Sequence, residues 1–516
     1  MSGKAPDLFA AVHIGSEQIS LQIVEYKSLQ DIKVIERANY QMVLGEETFK
    51  TGQISFSAVS ELCELLKGYR RLLAEYGVTE YRLVATTAIR EADNQQYIID
   101  QIRVKTGFRV EVAGMTQEIF YKYVALYRRM QEAQLANRTD AVLFVDISSG
   151  GLGITLYKQG ALIYQQNLHI GILRIKESFE KHQRESLHFH KALEEFIYSV
   201  IAPVQEELGR HQIKYLVLSG LETNLLLSIL GREPQEAVSY ISLHDFYQLY
   251  KQVVNLNLLQ IIDIFNLAEN KADMVLPTII LYRQIMALTD VEQIVIANDQ
   301  FIDGITTLYI AENTKDVWLH DIEAQLVSLA RSFARRYRYN EAHAEKVEEI
   351  ALIIYDRIVK LHGMGKRERL LLKVAAILHD IGKFINLRRH YLYSYRLILS
   401  SDILGFSEEE KIIMASVAYY HSKGTPSDFE SGFNSLTKEQ KVTVAKLAAI
   451  LRLANSLDCT HRQKIVKSTA SFNEEMLIVA VEAREDISLE EWTFEEKARF
   501  FENVFGIRAI LKRQAG

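Results

Sequence analysis

The stretch best suited to chemistry is Asp146-Ile147-Ser148-Ser149-Gly150-Gly151, a polar, glycine-rich turn that ends an apolar strand-like run. Such a turn can aim several backbone N–H groups at a phosphate, while the nearby carboxylate holds a metal or a water. Gly-Ser hairpins are common, so the pattern gains weight from its echo at Ile14-Gly15-Ser16, which follows another apolar run. Two facing loops can clamp one phosphate chain. A second candidate is His379-Asp380, which closes a helical stretch before Gly382. Imidazole beside carboxylate is a donor set for a divalent metal. Basic residues crowd nearby: Arg331, Arg335, Arg336 and Arg338, then Lys366, Arg367 and Arg369, then Arg388 and Arg389. They read either as solvated helix faces or as a groove for a polyanion, since Arg suits phosphate oxygens.

The elements that must position these groups follow from periodicity. Leu8–Tyr26 reads as strand, tight turn, strand, and Ala141–Lys158 repeats that plan. After the first copy come a helix over Ser55–Tyr76, a strand over Arg82–Thr86, a helix near Gln95–Lys105 and a strand over Phe108–Ala113. After the second come a helix over Leu187–Leu208, a strand over Tyr215–Leu218, further helices to Leu288 and a strand over Gln293–Ala297. Alternating strands and helices indicate an α/β architecture, and the duplication indicates two similar lobes with a cleft between them. From Trp318 to Lys464 helical spacing prevails, with Val347, Ile350, Ile354 and Ile358 on one face. The tail alternates again and reads as a small ββαβ unit.

Composition narrows the function classes. At 516 residues the chain exceeds one core, and 48% apolar residues with five prolines fit an ordered globular protein. The net charge of −6 argues against a general nucleic-acid coat. No apolar run approaches the ~18 residues of a membrane span, and the N-terminal residues carry no signal core. Cys63 and Cys459 are expected to be reduced, and the cytoplasm is the default compartment.

The order of motifs resembles the Ppx/GppA phosphatase family over almost the whole chain. The landmarks are AVHIGS at the start, VATTAIREADN at Val84–Asn94, VAGMTQE at Val112–Glu118, VDISSGG at Val145–Gly151 and KADMVLP at Lys271–Pro277. They continue with Leu361–His390, Tyr419–Pro426 and Ile450–Gln463. The resemblance implies a duplicated actin-like (ASKHA, RNase H-like) domain with lobes over residues 1–130 and 131–312. It further implies an all-α HD-type domain over 313–466 and a small α/β unit over 467–516. Its implied activity is hydrolysis of terminal phosphates from polyphosphate, or of the 5′-phosphate of pppGpp, with Mg²⁺, in a homodimer. Gly15, Ser16, Arg90, Ser148, Ser149, Gly150 and Gly151 would then meet phosphate, and Asp146 the metal.

The chain departs from the family pattern at several of these points. His13 stands where family members carry an Asp in an Asp-x-Gly-Ser-Asn turn. The family's catalytic glutamate follows the glycine of Ser-Gly-x-x-Glu by three residues; here that spacing from Gly114 lands on Gln117, with Glu118 next to it. An amide accepts no proton at neutral pH, and one helical step turns a side chain by about 100°. Ser148 and Ser149 replace glycines, and Ser219-Gly220-Leu221-Glu222 replaces Gly-Gly-Thr-Ala. In the HD-type domain the resemblance assigns a divalent metal to His343, His379, Asp380 and His421, with His390 at the place of an extra histidine. The closing Asp of that motif is Asn455, and Asp458 lies three residues on. Three functions remain open: an exopolyphosphatase-type enzyme, a non-catalytic sensor of polyphosphate or a guanosine alarmone, and an HD-domain phosphohydrolase.

Overall fold

The structure is a computed structural model that describes residues 6–135, 140–148, 150–186, 188–234, 238–298, 300–422, 424, 431–473 and 475–514. The chain forms two compact units, Met1–Ile322 and Glu323–Gly516.

In the first unit, two sheets share one plan. β1 (Asp7–Ile14), β2 (Gln18–Ser28) and β3 (Asp31–Gln41) make an antiparallel meander, and β4 (Tyr81–Ala85) and β5 (Val110–Val112) add in parallel beyond β1. The second sheet repeats this with β6 (Ala141–Ile147), β7 (Leu152–Lys158) and β8 (Ala161–Leu168), followed by β9 (Ile213–Ser219), β10 (Val238–Ile241) and β11 (Gln293–Ala297). β9 lies parallel to β6 and β11 parallel to β9, while β10 pairs antiparallel with β11 at the edge. β6 reads AVLFVDI and is buried at every residue, as a central strand covered on both faces requires. His13 and Asp146 hold equivalent places, each one residue before the end of the first strand of its sheet. The loops that leave the carboxyl ends of the parallel strands gather beside them, where open α/β sheets bind ligands.

One helix changes sides relative to expectation. Phe301–Thr314 falls within the span assigned to the second lobe, yet it packs on β1, β2 and the helix Met115–Glu132. Tyr309 stacks on Phe9 with ring centroids 3.7 Å apart, and Asp303 accepts an ion pair from Arg37 at 2.9 Å. The helix is apolar on most of its circumference, so periodicity alone does not say which sheet it covers.

The second unit is helical through Lys438–Ser456, and Val347, Ile350, Ile354 and Ile358 are all fully buried. β12 (Ile465–Asn473), β13 (Met476–Ala483) and β14 (Arg508–Arg513) form a small sheet, with the helix Ser488–Phe505 between the last two strands. That ββαβ arrangement matches the tail's alternation. It is not a separate body: its helix packs on Lys438–Ser456, and one compact unit runs to the C-terminus. Among the described residues no helix is long and apolar enough to cross a membrane, and both cysteines are free.

The crossing of Met115–Glu132 and Phe301–Thr314 depends on Gly304, where an added Cβ would lie 1.9 Å from the Tyr121 carbonyl oxygen. Backbone cannot yield as a side chain can, so Gly304→Ala is expected to cost about 1–3 kcal/mol or more. A lowered denaturant midpoint for the first unit would check this.

Candidate functional site

Where the parallel strands end, a cavity of about 110 Å³ opens between the two sheets of the first unit, lined from both by groups that include His13, Ser16, Thr87, Glu118, Asp146 and Ser148. A smaller one of about 20 Å³ reaches Arg90, Gly150 and Gly151. Thr87, Glu118, Lys122, Asp146 and Ser148 line both.

The helix Met115–Glu132 builds the wall between them. It starts after Gly114, whose extended backbone turns the chain out of β5. Glu118 and Lys122, four residues apart, lie on one face of that helix. Arg90 Nη1 donates to Glu118 Oε2 at 2.7 Å, and the Thr87 hydroxyl donates to the same oxygen at 3.1 Å. Lys122 Nζ reaches Asp146 Oδ2 at 2.6 Å and Glu118 Oε1 at 3.6 Å. The other oxygen of Asp146 accepts from Ser219 Oγ at 2.9 Å. Burial pushes the Glu118 carboxyl up, but Lys122 and Arg90 outweigh it and hold the group below its usual range. Burial likewise opposes the Lys122 charge, and Asp146 and Glu118 outweigh it, so the ammonium holds its proton more tightly than usual. Asp146 is raised by burial, with Lys122 and Ser219 opposing. Glu222, in the first turn of the helix Leu221–Ile229 after β9, is raised well above its usual value by burial and by Glu17, and among the described residues its Oε2 is buried without a hydrogen-bond partner.

The neighbours Gln117 and Glu118 part company here. Gln117 bonds to Tyr121, one turn on along its own face, and lines neither cavity. Of the two candidates for the base, Glu118 lines the cleft with its carboxylate and Gln117 does not. Glycine spacing located the helix start but not the side chain that faces inward. His13 bonds to Thr86 Oγ1 at 3.1 Å and stacks on Phe301, and burial lowers its pKa to about 3, so it is a neutral imidazole. It does not repel a cation by carrying charge.

The two turns approach as expected, and three of their amides are engaged within the turns. Gly15 N donates to Gln18 O at 3.0 Å, Ser148 N to Gly151 O at 2.9 Å and Gly151 N to Ser148 Oγ at 3.3 Å. Gly150 lies so close to the first lobe that a Cβ there would meet Thr87 Cγ2 at 2.7 Å. Arg174 fixes this turn by donating to Gly150 O at 3.1 Å and to Glu91 at 2.6 Å. Ser149 lies outside the described residues. The cationic donors facing the cavities are thus the side chains of Arg90 and Lys122. Lys122 was not singled out from sequence; its signal was the Glu118-to-Lys122 spacing in the helix that follows Gly114.

A second cluster lies within the second unit. His343 Nε2 and His379 Nε2 are 3.3 Å apart, and Asp380 Oδ2 is 3.5 and 3.6 Å from them. On the other side of Asp380, Oδ1 faces His390 Nε2 at 3.4 Å and His421 Nε2 at 3.6 Å. Each ring is oriented from behind: His379 Nδ1 donates to Ala376 O, His421 Nδ1 to Ala418 O, and His343 Nδ1 to Asp458 Oδ2 at 2.8 Å. Asp458 therefore supports His343 from outside the cluster. Burial lowers His379 to about 4 and His421 well below its usual value. The resulting Nε2 lone pairs point at one another, and among the described residues Asp380 Oδ1 has no hydrogen-bond donor. Gly382 lets the turn after Asp380 press against the next helix, since a Cβ would lie 2.1 Å from His390 O. His461, which the sequence reading missed, stacks on His343 with centroids 3.6 Å apart.

Comparison with known proteins agrees with this architecture. Residues 22–306 match the Ppx/GppA phosphatase family and residues 328–498 match Ppx/GppA phosphatase, domain III. The chain is 20% identical over 463 residues, 89% of it and 88% of the relative, to a guanosine-5'-triphosphate,3'-diphosphate pyrophosphatase of Pseudoalteromonas translucida (strain TAC 125). Among solved structures it is similar to a Ppx/GppA family member of Aquifex aeolicus, at 20% identity and TM-score 0.51, covering 60% of this chain and 99% of that one. It is also similar to an exopolyphosphatase of Cytophaga hutchinsonii, at 20% identity and TM-score 0.52, covering 59% and 98%.

The neutrality of His13 has a measurable consequence. It titrates at about 3 in the folded chain, against ~6.5 for a free histidine. Between those values the unfolded chain binds a proton that the folded chain does not, so stability is complete above the upper value and falls as the pH drops through the window. His13→Gln should flatten the pH dependence of unfolding there by a slope of about one proton, read by calorimetry against the unmodified chain.

Proposed function

The chain belongs to the Ppx/GppA phosphatase family, and from that premise we propose that the cleft of its first unit hydrolyses a terminal phosphoanhydride of polyphosphate or of a guanosine alarmone. The observation that carries this reading is the carboxylate of Glu118 on the cavity wall, within reach of Arg90 and Thr87. Arg90 pairs with Glu118 and Lys122 with Asp146. An incoming phosphate competes for both cations, which releases Glu118 oxygen atoms toward a water. The water oxygen bonds to the terminal phosphorus as the bridging P–O bond breaks. One water proton passes to Glu118, the leaving chain takes the bond's electron pair, and inorganic phosphate is released. Charge on the transferred group spreads over its outer oxygens, where the two cations stabilise it.

The test separates the two neighbours. Glu118→Gln should lower phosphate release from tripolyphosphate by ~10²–10⁴-fold, the span of a lost general base. Gln117→Glu should leave the rate within about twofold, because that side chain faces Tyr121. A rate unchanged by Glu118→Gln would refute the assignment.

A second reading concerns domain III. The converging Nε2 atoms of His343, His379, His390 and His421, with Asp380 between them, support a divalent-metal site that uses Asp380 on both sides. His379 and His421, lowered by burial and with Nδ1 committed to a backbone carbonyl, have the ligand form such a metal takes. A metal bound there would supply Lewis acidity toward an anionic ligand. Lys383, which contacts Asp380 at 2.5 Å and is a third exposed, would have to swing outward. The purified chain should contain a divalent transition metal by elemental analysis, and His379→Ala with Asp380→Ala should remove it. Equal metal content in the two proteins would sink this reading.

A further inference from the structure

Family resemblance implies Mg²⁺ in the cleft, and Asp146 is the residue expected to hold it. The surroundings of Asp146 do not fit that ion. One oxygen lies 2.6 Å from Lys122 Nζ and the other accepts from Ser219 at 2.9 Å. Glu118, the nearest other carboxylate charge, is taken by the same ammonium at 3.6 Å and by Arg90 at 2.7 Å. A cation placed between Asp146 and Glu118 would coincide with Lys122.

We propose that the Lys122 ammonium is the resident cation of this cleft, standing where a divalent ion would bridge Asp146 and Glu118 and contacting the oxygens of the bound phosphate group. One feature beyond the distances supports it. Lys122 lines both cavities, so its charge faces the space a ligand would enter rather than closing a contact within a solid core. A lysine is a compact point charge with rotatable donors, which suits it to stand in for a metal toward phosphate oxygens. Lys122 thus becomes a substrate-contacting residue, and the reaction of this cleft needs no divalent ion. The catalytic part of this inference rests on the cleft being the phosphate site; the part concerning the cation does not.

The experiment uses the full chain carrying His379→Ala and Asp380→Ala, so that the histidine cluster takes no metal. Mn²⁺ binding is followed by electron paramagnetic resonance. With Lys122 present, no Mn²⁺ should bind up to millimolar concentration. With Lys122→Ala, one Mn²⁺ should bind at least about tenfold more tightly, and Asp146→Asn added to that variant should abolish it, as expected when an open carboxylate pair replaces an ion pair. Tripolyphosphate hydrolysis should proceed in EDTA within about twofold of its rate in Mg²⁺, and Lys122→Ala should lose ~10²–10³-fold in EDTA, the effect of removing one preorganised charge donor. Mn²⁺ bound in the presence of Lys122 and lost on Asp146→Asn would overturn the proposal, as would hydrolysis abolished by EDTA. If tripolyphosphate neither binds nor reacts, the assignment of the cleft to phosphate fails, while the Mn²⁺ titration still decides the role of Lys122. Should Lys122→Ala not fold, the Mn²⁺ titration of the chain that keeps Lys122 decides it alone.

Discussion

The contact between Lys122 and Asp146 joins the helix that follows the first sheet to the central strand of the second. Taking an ammonium and a carboxylate out of water is expensive, by several kcal/mol for each ion, and the attraction between them offsets this only when further partners share the load. Here they do: Ser219 donates to Asp146, and Glu118 gives Lys122 a second carboxylate. Glu118 in turn is shared with Arg90 and Thr87. A ladder of charge therefore runs from the short helix Thr87–Arg90 after β4, through the helix Met115–Glu132, to the end of β6. Removing one member would leave a buried charge unpaired, at a cost of about 3–5 kcal/mol.

The duplication of the sheets explains why this ladder can also face a ligand. Each sheet sends its parallel strands toward the same end, so loops from both arrive together. Equivalent positions in the two copies have diverged in chemistry: one carries the neutral imidazole of His13 and the other the carboxylate of Asp146. Further bridges hold the loops at fixed distance. Arg174 pairs with Glu91 at 2.6 Å and Lys176 with Glu46 at 3.3 Å. The side-chain cations that face the cavities are already paired with carboxylates, so the ladder and a bound anion compete for the same groups.

The second unit solves a different problem. Four of its histidines and Asp380 are held with their acceptor atoms inward by hydrogen bonds on the opposite edge of three rings and by the close turn that Gly382 permits. Asp458, three residues beyond Asn455, serves that arrangement from outside it. Its carboxylate is buried and engaged with His343 and Gln463, so it orients a ring instead of joining the cluster. His390 and His461, separated in sequence from the His379-Asp380 pair, complete the surroundings of Asp380.

By itself the sequence determined the two strand-turn-strand copies, the helical texture after residue 315 and the ββαβ tail, because apolar periodicity and glycine turns are local properties. It also determined the short list of titratable groups, His13, Asp146, His343, His379, Asp380 and His421 among them. Only the tertiary structure decided which sheet the helix Phe301–Thr314 covers, since that helix is apolar nearly all round and its partner lies far away in the chain. It alone decided that Glu118 and not Gln117 faces the cleft, because a helix's rotation about its axis is set by packing against distant elements and not by spacing from Gly114. The same holds for Lys122. Its ordinary place four residues after a glutamate gives no sign that a strand from the other sheet brings Asp146 to its ammonium group.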